Sequence, residues 1–243
     1  MRNRTTLAAA TAAGMLSLMF TAGSATAASA AGNTAAPGAQ ADATSCGEVR
    51  LTGELPAPPA GMAVQQQVTI GEDCRPVLGE VTFVPARAGA AAKTKAAAAP
   101  AGVAAAETAA GTTRQFKSWN EMFDCCNIRM TGLYTASQWT TDGSRITTAS
   151  TEATQQWNRE PWNAGWNLKS ATQNTDCAEN CDVSRTEAHA DFTYKGIFDV
   201  TGSWYANTHH SYVDLNADGT ATCRFDVQLR HSFIGWNWQR GCQ

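Results

Sequence analysis

The chain has 243 residues, a formal charge of −3 and only 16% charged residues. So weak an acidic balance gives no electrostatic basis for gripping nucleic acid or an anionic membrane surface. Eight cysteines and eight tryptophans are its distinctive holdings.

Residues 1–27 place Arg2 and Arg4 ahead of a short apolar stretch around Gly14 to Phe20, followed by small residues. That is the pattern of a secretory signal peptide, with Ala25, Thr26 and Ala27 as the small-x-small cleavage site and Ala30 as an alternative end. No segment approaches the roughly 20 apolar residues of a membrane span. The expected location is therefore secreted, extracellular and soluble. An even cysteine count in an exported chain reads as disulfides, involving Cys46, Cys74, Cys125, Cys126, Cys177, Cys181, Cys223 and Cys242. A zinc site at Cys177 and Cys181 is the competing reading, but no second pair follows at a matching interval.

Residues 28–45 are rich in Ala, Gly, Thr and Ser, and their composition predicts a disordered leader. Residues 46–85 hold VRLTGELP, AVQQQVTI and PVLGEVTFVP, short β-branched runs bounded by Gly and Pro. They predict a small β segment stapled by Cys46 and Cys74, since about 40 residues alone bury little core. Residues 86–113 are alanine-rich but broken by Gly89, Pro100, Gly102 and Gly111, and they read as a tether that a protease could cut. The first segment would then be either a docking piece or a removable propeptide.

Residues 114–243 hold every tryptophan and six of the cysteines. Here CCNIRMTGLYTASQWT runs into the turn residues Thr141, Asp142 and Gly143, while STEATQQW is legible as helix or strand. EAHADFTYKGIF aligns Ala190, Phe192, Tyr194 and Phe198 on one side, ahead of a turn at 199–202. In TATCRFDVQLRHSFIG the residues Ala221, Cys223, Phe225, Val227, Leu229, His231 and Phe233 alternate with polar ones, the signature of a half-buried antiparallel strand. Tight turns joining such strands predict a mostly β fold: a disulfide-braced antiparallel β-sandwich or small barrel, with the N-terminal β segment on its Ala-rich tether. On extended chain Cys125 and Cys126 face opposite ways, so the expectation is separate bridges to Cys223 and Cys242, with Cys177 and Cys181 clipping a loop.

Several stretches invite chemistry. DLNADG, 214–219, opens like a calcium loop, but its twelfth position is Phe225, and a hairpin turn uses the same residues. Of the histidines, His209 and His210 must face opposite sides of a strand, His231 falls on an apolar side, and His189 alternates with apolar residues. Glu160 with Glu187 or Asp191 could supply a glycosidase pair only if brought ~5 to 10 Å apart across a cleft. No HExxH, GxSxG or Gly-rich phosphate motif is present, so neither a cofactor nor a catalytic residue is expected.

WNREPWNAGWN, 157–167, remains. Five of the eight tryptophans precede an asparagine, and three of those pairs fall in this run. Stacked indoles with adjacent amides suit a sugar ring, and equally each indole can bury on the order of 200 Å² of core. The expected ligand-binding residues are Trp157, Trp162, Asn163, Trp166 and Asn167. The function expected is binding of a glycan or extracellular polymer. The alternatives are a protein-interaction module, such as a protease inhibitor or a component of a secreted assembly, and a small hydrolase.

Overall fold

The computed structural model describes residues 45–86, 111–159 and 165–243. The signal peptide, nearly all of the leader and tether, Glu160, Trp162 and Asn163 lie outside the described residues. Within them the secondary structure is β, and no helix is long and apolar enough to cross a membrane.

Five strands come from the first segment, four of which pair within the two large sheets. β2 (Val49–Leu55) forms an edge, β3 (Met62–Ile70) lies inside a sheet, and β4 (Pro76–Leu78) and β5 (Thr82–Pro85) share the outer edge of β3. Between β4 and β5, Gly79 approaches the Gln67 carbonyl so closely that a Cβ would sit 2.7 Å from it. The later strands are β6 (Thr112–Phe123), β7 (Arg129–Thr141), β8 (Ile146–Trp157), β9 (Gly165–Thr175), β10 (Val183–Lys195), β11 (Ala206–Asn216) and β12 (Ala221–Leu229). A short β13 (Ser232–Phe233) pairs with β1 (Ser45–Cys46), and β14 (Asn237–Cys242) ends the series.

Beside the two-stranded β1-β13 ribbon, two large antiparallel sheets result, a five-stranded one ordered β2-β12-β11-β10-β9 and a seven-stranded one ordered β4-β3-β14-β6-β7-β8 with β5 beside β3. They pack face to face, β11 over β6 and β7, β10 over β7 and β8. This is a sandwich rather than a closed barrel, because the two sheets share no strand. The predicted alternation holds in β12, where Ala221, Cys223, Phe225, Val227 and Leu229 are buried. That strand stops at Leu229, so His231 lies in a bend and not on the apolar face. STEATQQW is part of β8. Leu51, Val68, Met122, Leu133, Phe192, Val213 and Trp238 fill the space between the sheets, each large apolar side chain contributing about 1.5–3 kcal/mol by leaving water.

The strands of 46–85 are integral to this body rather than a separate module. β2 pairs with β12, and β3 pairs with β14 in the heart of the larger sheet. Leu51, Leu55, Val64, Val68 and Ile70 belong to the shared core. A segment too small for a core of its own has borrowed one.

Three disulfides brace the sandwich. Cys46–Cys74 ties β1 to the turn after β3, and Cys177–Cys181 clips the β9–β10 connection, both as anticipated. The third departs from expectation: Cys223 bonds Cys242, joining β12 of one sheet to β14 of the other. Both side chains point into the interior and are almost completely buried. Cys125 and Cys126 instead occupy an exposed turn between β6 and β7 and are bonded to neither.

Candidate functional site

Strand alternation decides where the Trp-Asn pairs point. Trp166 opens β9 on the interior side and is 5% exposed, while Asn167 faces outward and donates to the Gly165 carbonyl at 3.1 Å. Neighbouring positions on a strand serve opposite faces, so this indole and this amide do not meet one ligand ring. Trp157 is also inward and half-buried, 6.2 Å from Phe192, with the Arg159 guanidinium 5.3 Å above its ring. The same division recurs at Trp119, which lies over Gly241 on the outer face, and Asn120, which is wholly buried.

At the end of the sandwich where Trp166 lies, the ends of β6, β8, β10 and β13 and the starts of β7, β9, β11 and β14 surround a cleft of about 490 Å³. Aromatic rings in a contiguous series line it. Trp166 meets Tyr194 edge-on at 5.8 Å, Tyr194 meets Tyr205 at 6.2 Å, and Tyr205 contacts Phe233 and Trp236. Ile128, Met130, Phe198 and Ile234 complete the apolar wall, and Asp124, Cys125 and Asn158 supply its polar edge. Beyond the mouth project Ile197, Phe198 and Val200, 80%, 72% and 75% exposed. A cluster of large apolar side chains offered to water beside an aromatic cleft is the usual mark of a contact site.

Two aspartates shape the rim. Asp124 accepts from the backbone N–H groups of Cys126 and Ile128 at 2.9 and 2.8 Å, setting the β6–β7 turn. Asp199 accepts four hydrogen bonds, from the Thr201 hydroxyl and from the N–H groups of Gly202, Trp204 and Tyr205, at 2.7–3.0 Å. Burial opposes its ionisation, but these donors outweigh burial and hold its carboxyl down to about 2. They also fix the loop that carries Phe198 and Trp204. Burial and the Asp199 charge raise the Tyr205 phenol. Trp204 is 52% exposed, with His231 stacked on one face at 4.0 Å.

The remaining candidates resolve as follows. His209 is wholly buried between the sheets. Asn120 donates to the His210 carbonyl at 2.9 Å, so its Oδ1 accepts from Trp238 Nε1 at 2.7 Å and His209 Nδ1 at 3.0 Å. His209 Nε2 then accepts the Thr131 hydroxyl at 2.9 Å, and that hydroxyl accepts from Asn207 Nδ2 at 3.0 Å. Burial pushes the imidazole down to about 3, a neutral fixture of the core with no access to a substrate. His189 and His210 face the other way, stacked at 4.5 Å on the outer surface, paired with Asp191 at 3.3 Å and Glu187 at 3.1 Å. Glu187 and Asp191 thus share the outer face of β10, while Glu160, the partner expected for either of them in a glycosidase pair, lies outside the described residues. DLNADG forms the β11–β12 hairpin turn, with Gly219 at φ 86° and Asp218 capping Thr220. Among the described residues no three His, Cys, Asp or Glu side chains gather as a metal-binding group.

Sequence reasoning missed Tyr194, Tyr205, Phe198, Trp204 and Trp236 as a common site. One signal was legible: in KGIFDVTGSW, Asp199 and Gly202 mark a tight loop that leaves its apolar residues unable to reach the core. No family model matches the chain, and neither the curated proteins nor the solved structures provide a similar one.

Proposed function

We infer that this is an extracellular binding protein whose end cleft receives the apolar or aromatic body of a small molecule. The observation that carries the reading is the aromatic series from Trp166 to Trp236, open to solvent beneath the exposed lip of Ile128 and Phe198. Rings already packed against one another lose little freedom when a ligand settles on them, so the site is preorganised. Three disulfides are consistent with an extracellular location. Export through the arginine-led leader is part of the proposal.

The test uses N-phenylnaphthylamine, a neutral probe whose emission rises on leaving water. The parent should bind it saturably, and Phe198→Ser with Ile128→Ser should weaken binding without lowering thermal stability, since both side chains are exposed. Equal binding by parent and double variant would remove the cleft from consideration.

Exposed Trp204 favours a second reading, recognition of a glycan. Its free face and its His231 backing suit stacking on a sugar ring. Retention on insoluble polysaccharide that Trp204→Ala abolishes would support it, and retention dependent on Trp162 would move the platform back to the 157–167 run.

A further inference from the structure

The cysteines leave one pair unassigned, and the pair borders the cleft. All eight cysteines lie among the described residues, six are bridged, and the two left over are adjacent in sequence and exposed. Neither has another partner within the chain. The turn brings them together: Asp124 grips the N–H groups of Cys126 and Ile128, the Asn127 N–H donates to the Asp124 carbonyl at 3.1 Å, and Asn127 sits at φ 61°. A strand would send the two side chains to opposite faces. This turn instead sets the sulfurs 3.6 Å apart.

We propose that Cys125 and Cys126 are a redox site, closing on each other as a vicinal disulfide at the cleft mouth and opening again on reduction to change what the cleft binds. The second half rests on the reading of the cleft as a ligand site. Closure is a thiol–disulfide exchange with an external small-molecule disulfide. One thiolate attacks it and releases a thiol, and the second cysteine then displaces the other half. Two cysteine thiols are oxidised, one external disulfide is reduced to two thiols, and two electrons pass between them.

Position explains both the lability and the effect. Adjacent Cα atoms stand about 3.8 Å apart across a trans peptide, short of the usual disulfide range, so the ring is strained and more easily reduced than an unstrained bridge. The other three bridges join cysteines at least four residues apart and do not carry that constraint. Cys125 lines the cleft, and its Cβ lies so near Gly235 that a Cβ there would be 3.4 Å away. Pulling its sulfur toward Cys126 therefore reshapes the edge between the Asp124 turn and the Gly235 turn.

The experiment uses full chain recovered under oxidising conditions, alkylated without reduction and digested with trypsin. Cleavage after Lys117 and Arg129 isolates both cysteines on one peptide that holds no other. The expected product is that peptide unalkylated and lighter by two hydrogens. Limiting phosphine reductant should open this bond before the other three and shift the affinity for N-phenylnaphthylamine severalfold, a response that Cys125→Ser with Cys126→Ser removes. Double alkylation in protein whose other six cysteines are bridged overturns the bond. A bond present with unchanged probe affinity overturns its coupling to the cleft. If neither redox form binds the probe, the cleft reading fails, and the coupling with it, while the peptide mass still reports the bond.

Discussion

Acid should dismantle this fold through His209. Its folded value of about 3 lies below the ordinary 6.5, so between those limits the unfolded chain binds a proton that the folded chain refuses. Stability therefore rises with pH across that window and falls on acidification, by about 1.4 kcal/mol per unit once well below the ordinary value. Between pH 7 and about pH 4 the loss from this one residue comes to about 3 kcal/mol, approaching roughly 5 kcal/mol below pH 3. Protonation would also place a second donor on Nε2 against the Thr131 oxygen, which already accepts from Asn207. The assay is urea unfolding of the parent and of His209→Gln at both pH values. The variant should start less stable at pH 7 by about 1–3 kcal/mol, having lost fitted hydrogen bonds, and should lose about 3 kcal/mol less than the parent on acidification. Other groups also titrate, but they are common to both proteins, so the difference isolates the histidine. Parallel pH profiles would refute the reasoning.

Other perturbations separate the parts of the account. No disulfide crosses the 87–110 stretch, so residues 45–86 and 111–243 supplied as two chains should reassociate into one sandwich by size-exclusion chromatography; failure to copurify would show that the shared core is too weak without the covalent link. Replacing Cys223 and Cys242 together with alanine should cost about 3 kcal/mol in denaturant titration, since the bridge closes a 19-residue separation between the sheets. Gly53→Ala should destabilise by about 1–3 kcal/mol, because a Cβ there would overlap the buried Arg240 guanidinium and must displace it. Asp199→Asn should cost on the order of 2 kcal/mol and weaken probe binding at neutral pH, as the four donors that shape the Phe198 loop lose their charged acceptor.

Much of the β architecture was legible because period-two patterning and Asn, Asp and Gly turns act locally. β12 and the DLNADG turn follow from a few neighbouring residues each, and the Cys46–Cys74 staple from there being no other cysteine in its segment. What was illegible depends on distant pairing. Nothing in AVQQQVTI says that it will lie between β14 and the β4–β5 edge, because a strand's hydrogen bonds carry no address. The Cys223–Cys242 bond escaped for a related reason: the expectation assumed that Cys125 and Cys126 lie on extended chain, whereas Asp124 folds them into a turn. The Trp-Asn run shows a third limit. Composition suggested a platform, yet alternation separates Trp166 from Asn167, and the aromatic site it joins is assembled from four chain segments that no single stretch reveals.

The aromatic end of the sandwich is the proposed site at which this protein meets its ligand. Backbone amide NMR shifts recorded while N-phenylnaphthylamine is added test it most directly. Perturbations concentrated at 124–130, 194–205 and 233–236, with saturation, are the predicted result. Shifts confined to the outer face of the five-stranded sheet around His189, His210 and Tyr212 would contradict it.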